Sequence, residues 1–481
     1  MVFIVAIWSI VLLVWLALAA YRFNWSGKQF PLVLCGLAVL VSGSVFGYDF
    51  FHIPAPIPIT ADRALLGLIV MTFGILVVRE KAYLRELVAT DYLAGGLLVV
   101  LLGSALLTDS GYFKNLPLSR FIFFYLLPFG LYFVVKHAKF TDRELKLVAI
   151  GFCGFCVYLA LTAVAESRGW YGIVFPSYIR DPKVTEFLGR GRGPFLNPIS
   201  NGIFLTTGLA MAVMLWKLAR NNLFEKAVWT LAIPVLFVGN ICTLTRSVWI
   251  GMILAVGLIV LFITTRRQKA VLIVTGTVGA VLLFAVLGSS LINFKRDKHV
   301  SKNEMSQSAQ LRPIFASIAW EMIQDRPFFG CGFGQYNKHK RRYMQDPHSD
   351  LQLSKGAPYL QHNVVLSLVT EVGLIGVGLF LMLLVRAGQE AAMLVRWPDA
   401  TPWTRAYGLV MLAMLISYFI NGMFHDVSII PMANSLLFFL LAIIVGTRYT
   451  YRKDKKAYIS IGRSWAPGIR RRLLIAPTGP R

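Results

Sequence analysis

Long apolar stretches, separated by short polar and mostly basic breaks, recur along nearly the whole chain. Thirteen runs stand out, at residues 3–21, 31–47, 63–78, 92–107, 119–135, 146–164, 199–218, 227–243, 247–264, 269–291, 363–385, 407–424 and 428–447. Most reach the ~17 to 25 residues that an α-helix needs to cross a bilayer, the 31–47 and 63–78 runs being the short ones. The pattern predicts an all-α, polytopic membrane protein with about 12–13 transmembrane helices. The first run lacks a basic leader and a small-residue cleavage site, so it reads as a span and not as a cleaved signal.

One polar stretch, 292–361, is long enough to be a sizeable soluble piece, yet too small to hold an ordinary core of its own. Any chemistry there has to be shared with the helices beneath it. Within it, Leu311–Met322 has helical spacing, with Ile314, Ile318, Ala319 and Met322 on one face. Asp325-Arg326-Pro327 ends that helix, and Phe328-Phe329-Gly330-Cys331-Gly332-Phe333-Gly334 forms a glycine-rich turn able to approach another surface closely. Its Gly-x-Gly-x-Gly is no nucleotide fingerprint, because no strand–helix context surrounds it.

Composition agrees: 57% of the 481 residues are hydrophobic, and the mean hydropathy is +0.65. That excludes a soluble two- or three-domain protein. The net charge of +25, from 48 basic against 23 acidic residues, would suggest nucleic acid in a soluble chain. Here it is sorted by side of the membrane. Arg22, Arg79, Arg85, Lys136, Lys146, Lys217, Arg266, Arg386, Arg405 and the tail from Arg448 onward fall on one side, which the positive-inside rule makes cytoplasmic. Their role is topological, with anionic membrane lipids as partners and no nucleic acid. Segments 48–62, 108–118, 165–198 and 292–361 then face outward. The organisation read from this is 1–164 as N-terminal spans, 165–447 as a core with the two large outer loops, and 448–481 as a basic cytoplasmic tail.

The outer segments carry the candidate chemistry. Arg190-Gly-Arg192 leads to Asn197-Pro-Ile-Ser-Asn201 and a span, Thr243-Leu-Thr-Arg246-Ser247 forms a tight turn, and Arg312 opens the external helix. His362-Asn363 starts the next span, with Gly373 and Gly376 further along it. On an unbroken helix those glycines fall within about 40° of His362, so the imidazole face is the one a neighbour can approach. Arginine's planar, permanently charged fork suits bidentate phosphate recognition. Histidine, with an ordinary pKa of ~6.5, can accept a proton near neutral pH. Four outer arginines beside one histidine suit a lipid-linked pyrophosphate whose leaving group gains charge.

Weaker candidates surround this set. Arg246 reads equally well as an interfacial anchor. His299, His339 and His348 read as solvated surface, His425-Asp426 as groups that orient a base or a substrate, and Glu371 as a buried, hydrogen-bonded acid. Cys153 and Cys156 read as small packing residues, having no companion ligands. No outer segment holds an Asp-x-Asp pair or a His/carboxylate cluster suited to a divalent metal, so no metal or other cofactor is expected. Ionisable groups along a transport path are also scarce, which counts against a secondary transporter.

These residues together resemble the bacterial O-antigen ligase and polymerase superfamily over about residues 190 to 380. His362-Asn363-x9-Gly373-x-x-Gly376 matches the ligase signature. Arg192-Gly-Pro-Phe-Leu-Asn197-Pro, with shortened spacing, is similar to the family's Arg…Asn-Pro approach to a span. Thr245-Arg246-Ser247 resembles its Thr-x-Ser-Arg turn, although the Arg here precedes the Ser. Arg312 followed by Pro327-Phe-Phe-Gly330-Cys-Gly332 resembles its Arg…Pro-x-x-Gly-x-Gly stretch.

The resemblance implies a type-C glycosyltransferase bundle in the bacterial inner membrane, with a periplasmic active site. The donor would be a glycan on undecaprenyl pyrophosphate, and the acceptor a sugar hydroxyl of lipid A–core or another glycan. His362 is then the expected base, or the group that orients the acceptor hydroxyl, in a metal-independent, inverting transfer. Arg190, Arg192, Arg246 and Arg312 are the expected pyrophosphate ligands, supported by Asn197, Asn363, Gly373 and Gly376. A polysaccharide polymerase of the same superfamily, or a non-catalytic flippase for the same lipids, are the alternatives.

Overall fold

A computed structural model of the protein describes residues 30–48, 50, 52–53, 59–78, 84–107, 116–181, 184, 186–219, 221–264, 267, 302–344, 352–357 and 359–464. Two expected spans, 3–21 and 269–291, lie outside them, as do His299, His348 and residues 465–481 of the tail. Among the described residues the chain is built from helices, with one isolated bridge between Ile53 and Ile59.

The long helices are α1 (Phe30–Val45), α2 (Ala61–Val78), α3 (Ala89–Leu107), α4 (Pro117–Val135), α5 (Asp142–Arg168) and α6 (Pro198–Leu218). They continue as α7 (Leu223–Cys242), α8 (Arg246–Ile263), α9 (Lys302–Asp325), α10 (Val364–Arg396), α11 (Pro402–Gly422) and α12 (Pro431–Ser464). Ten of these, all but α1 and α9, are long and apolar enough to cross a bilayer. This is a multi-pass all-α membrane protein. The last helix runs through the expected boundary at 447, so span and tail are one element as far as Ser464.

Local signals set the ends. Thr141 and Glu144 close a capping box before α5, and Gly169 ends it in the left-handed region at φ 76°. Asn197, Asn222, Asn363 and Thr401 each cap the helix that follows with a side-chain oxygen. Helix α6 has 89% of its apolar window buried and α12 has 83%, so these two form the centre of the bundle. Close glycine contacts bring helices together: Cys153 and Cys156 of α5 lie on the α6 backbone at Gly208 and Phe204. Their packing role is the expected one.

Basic side chains stitch the end away from His362. Arg85 donates to the carbonyls of Gly446 and Ala138, Glu390 pairs with both Arg386 and Arg448, and Lys136 reaches Asp91 at 2.7 Å. At the other end, α4 contains a π-helical turn at Ile122–Leu126. Asn434 of α12 donates to the Phe124 carbonyl within that turn at 2.8 Å, satisfying an acceptor that a widened turn presents sideways.

Helix α10 is broken. Gly373 has φ 68° and ψ −171°, a backbone state open to glycine alone. The glycine-rich turn fills the break. Cys331 and Gly332 donate their backbone N–H groups to Thr370 and Glu371, while Leu374 and Ile375 donate to Pro327 and Phe328. Four peptide groups on the two sides of the interruption thereby gain partners from the turn. The approach is so close that a β-carbon on Gly373 would lie 2.2 Å from Phe328, and one on Gly330 would lie 2.5 Å from Glu371.

Candidate active site

Helix α9 lies across this junction on the apolar face that its spacing predicts. Ile314, Ile318, Ala319 and Met322 are all buried, and Ile314, Ile318 and Met322 pack in a small core with Phe315, Cys331, Tyr336 and Leu353. The helix begins at Lys302, earlier than its predicted start at Leu311, and stops at Asp325 as expected. This placement holds Arg312 and Phe315, one turn apart, over the start of α10.

His362 does not sit on α10. Asn363 is the cap, the helix begins at Val364, and His362 itself has φ 51°. The expected shared helical face of His362, Gly373 and Gly376 is therefore corrected twice, once by the cap and once by the break at Gly373. Instead, the left-handed backbone sets the imidazole among side chains of α9, of the loop just before His362 and of the segment after α11. Its ring lies 5.8 Å from the Phe315 ring, 6.4 Å from Tyr359 and 6.4 Å from His425. The Arg312 guanidinium lies over the Phe424 ring at 4.8 Å.

The electrostatics favour a neutral imidazole. His362 keeps an accessible edge, yet the aromatic wall removes much of its hydration, and this loss lowers its pKa from the ordinary value. The positive charge of Arg312 lowers it further. Beside it, burial raises the Asp426 pKa against hydrogen bonds from Ser367 and Ser428. Ser428 donates to Asp426 Oδ1 through both its backbone N–H and its hydroxyl, at 3.1 and 2.5 Å. Asn434 in turn donates to the Ser428 carbonyl at 2.8 Å and accepts from the Tyr418 hydroxyl at 2.6 Å. The loop carrying His425 is thus fixed from below.

Asn363 has two jobs. Its Oδ1 accepts from the N–H groups of Val365 and Leu366, and its Nδ2 donates to the Met423 carbonyl at 3.0 Å. The start of α10 and the end of α11 are also in van der Waals contact, because a β-carbon on Gly422 would lie 2.9 Å from Val364. Similar contacts join Gly202 of α6 to Val248 of α8, and Gly251 of α8 to Ser417 of α11. The beginnings of α6, α8 and α10 and the end of α11 therefore gather at one end of the bundle.

Arg246 stands at that end, exposed, as the first residue of α8. The other two arginines do not present themselves to a ligand. Arg192 is fully buried and donates to the carbonyls of Ile179, Val184 and Glu186 at 2.7, 2.8 and 2.7 Å. Its Nε lies 3.5 Å from Glu166, whose other oxygen accepts the Gly193 N–H at 2.6 Å. Arg190 is buried as well, and it donates to Thr245 Oγ1 at 2.7 Å and toward the carbonyls of Thr243 and Leu244. Of the four arginines expected at a pyrophosphate, these two are therefore buried against backbone in the scaffold. Arg192 folds the loop before α6, and Arg190 braces the turn that sets Arg246 in place.

Asn197 caps α6, and Gly376 is buried beside Val100 of α3. Glu371 is a buried partner of Arg120, at 3.5 Å, and accepts the Gly334 N–H at 2.9 Å, so it secures the turn in the break. Phe315, Tyr359, Phe424 and Arg120 also surround or brace the site. Phe315 is signalled by lying one helical turn after Arg312, and Tyr359 by lying three residues before His362. Phe424 and Arg120 are brought in by tertiary packing. Among the described residues, no three His, Cys, Asp or Glu side chains gather as a metal-binding group.

His362 and the exposed Arg312 and Arg246 thus stand at one end of the helical bundle of a multi-pass membrane protein, with α9 packed beside them. Residues 231–381 match the family model described as O-Antigen ligase, so this part of the chain is similar to that family. The match takes in Arg246, α9 with Arg312, the glycine-rich turn, His362 and the break at Gly373. No curated protein matches the chain.

Proposed function

We propose that the protein is a glycosyltransferase of the O-antigen ligase kind. It moves a glycan from undecaprenyl pyrophosphate to a sugar hydroxyl of lipid A–core at the periplasmic face of the inner membrane. The observation that carries this reading is His362, held off its helix among Phe315, Tyr359 and His425, with its pKa lowered by lost hydration and by the charge of Arg312. The hydroxyl oxygen of the acceptor bonds to the anomeric carbon of the donor. The bond from that carbon to the diphosphate breaks, its electron pair leaving with phosphate. His362 accepts the hydroxyl proton, and Arg312 and Arg246 offset the charge that grows on the diphosphate. Attack from the face opposite the leaving group inverts the anomeric centre.

Asn363 holds the base in register with the loop after α11, and Gly373 permits the break into which the glycine-rich turn docks. A polymerase would use the same groups on a second lipid-linked glycan. The test is a cell-free assay with donor and acceptor supplied on one face only. A new glycosidic bond to lipid A–core supports a ligase, and elongation of the lipid-linked glycan supports a polymerase. Movement of donor across the membrane without any new bond overturns the enzyme reading in favour of a flippase.

A further inference from the structure

We infer that the glycine-rich turn at residues 327–334 dips into the apolar layer of the membrane on the His362 side, where Phe328 and Phe329 face phospholipid acyl chains. The turn then belongs to the membrane, although it lies in a long polar segment of the sequence. This inference rests on the membrane-spanning bundle and is independent of the glycosyl-transfer reading.

Two helices serve as rulers of depth. Helix α10 carries Arg386, paired with Glu390, at the end of the bundle away from His362. Leu374, which donates to the Pro327 carbonyl, lies only about 18 Å of helix above Arg386 at a rise of ~1.5 Å per residue. Helix α3 carries Asp91, paired with Lys136, at the same end. Ser104, whose hydroxyl accepts the Phe333 N–H at 2.9 Å, lies about 20 Å above Asp91 by the same rise. A hydrocarbon layer of ~30 Å extends past both points, and helix tilt only lowers these heights. The helical stretch from Val364 to Val372 then adds about 12 Å, which brings His362 up to the level of the headgroups.

Exposure agrees with depth. Leu374, Ile375, Met382 and Val385 form one exposed apolar stripe along α10 at helical spacing, the face that a span offers to lipid. Phe328 and Phe329, 61% and 71% exposed, continue that stripe, because Ile375 donates to the Phe328 carbonyl. Arg326, just before Pro327, is exposed and has a stem long enough to carry its charge toward the headgroups.

Backbone pairing gives a separate argument. All five N–H groups from Gly330 to Gly334 have protein partners. Those of Gly330, Cys331 and Gly332 donate to the carbonyls of Arg326, Thr370 and Glu371. That of Phe333 donates to Ser104, and that of Gly334 to Glu371 Oε2. An irregular turn in water can leave such groups to solvent, whereas one at membrane depth has to satisfy them within the protein.

The test places the purified full-length protein in vesicles of phosphatidylethanolamine and phosphatidylglycerol. The photoreactive residue p-benzoylphenylalanine replaces Phe328, Phe329, Met382 or Arg342, one position at a time; at 328 and 329 it keeps the native ring. Irradiation should add the mass of one phospholipid at 328 and 329, as at Met382 on the α10 stripe, and none at Arg342, which is exposed beyond the turn. Lipid adducts at 382 without any at 328 and 329 overturn the inference, and so do adducts as frequent at 342 as at 329. A cross-link from 328 or 329 to a second copy, or to another stretch of the same chain, shows that protein covers the pair and also overturns it. Absence of adducts at all four positions removes the lipid-facing stripe on which the inference stands. None of these outcomes bears on glycan transfer, so the two readings fail separately.

Discussion

The Asn363 side chain donates to the Met423 carbonyl at 3.0 Å while capping α10 with its oxygen. One amide thereby ties the two chain segments that carry His362 and His425. The two functions are separable by substitution. Asn363→Asp keeps the cap and loses the donor, so thermal unfolding should change little while glycan transfer falls. Asn363→Ala loses both and should also lose about 1 kcal/mol of stability, the usual worth of a cap. Differential scanning fluorimetry beside a transfer assay checks this, and equal activity in Asn363→Asp and wild type would count against the tie.

Gly373 and Gly376 should respond differently to alanine. At Gly373 the backbone is in a glycine-only region and a β-carbon would lie 2.2 Å from the Phe328 backbone, so nothing flexible can give way. Gly373→Ala should destabilise the protein by at least ~3 kcal/mol and lower its folded yield. At Gly376 a β-carbon would lie 2.3 Å from Val372 Cγ2 and 2.7 Å from Val372 Cβ, so the helix has to shift slightly, but no backbone of another segment stands in the way. Gly376→Ala should fold, with an overpacking loss of about 1–3 kcal/mol. Monodisperse yield after detergent extraction separates the two cases.

Arg192 and Arg312 should fail in different ways. Removing Arg192 strands Glu166 and three backbone carbonyls in a buried place. Breaking such a pair from one side costs about 3–5 kcal/mol, so Arg192→Ala should lose folded protein whatever substrate is present. Arg312 is exposed and stacked on Phe424, so Arg312→Ala should fold and transfer poorly. Melting temperature and turnover, measured on the same preparations, distinguish a folding role from a ligand role.

The pH profile should carry the mark of these surroundings. The reaction needs neutral His362, whose pKa is lowered first by the hydration its neighbouring rings remove and then by Arg312. Activity should therefore persist as pH falls below the ordinary histidine value of ~6.5 and be lost only at lower pH. Arg312→Ala removes one of the two causes, so the acid limb should move upward toward ~6.5. Plots of kcat/KM against pH for both proteins test this; a wild-type limb above ~6.5, or one unmoved by the substitution, would contradict it.

Much of the architecture was legible because its signals are local. Apolar runs of bilayer length marked the helices, and asparagines at 197 and 363 marked two of their beginnings. The buried face of α9 followed from 3.6-residue spacing, and the glycine-rich turn from its composition. What failed were inferences needing a straight helix or a partner chosen elsewhere in the chain. The His362 wheel assumed continuity through residues 363 and 373, where a cap and a break intervene. Arg190 and Arg192 carry the same charge and spacing whether they meet a ligand or backbone carbonyls. Only the folded loop decides that they brace the scaffold, and only tertiary packing brings His425 and α9 with Phe315 up to the imidazole.

The most direct measurement is glycan transfer from a lipid-pyrophosphate donor by purified His362→Ala against wild type, with matched folding shown by melting curves. The account predicts a loss on the order of 10² to 10⁴-fold, the range for removing a general base. A His362→Ala protein that transfers glycan at the wild-type rate would contradict it.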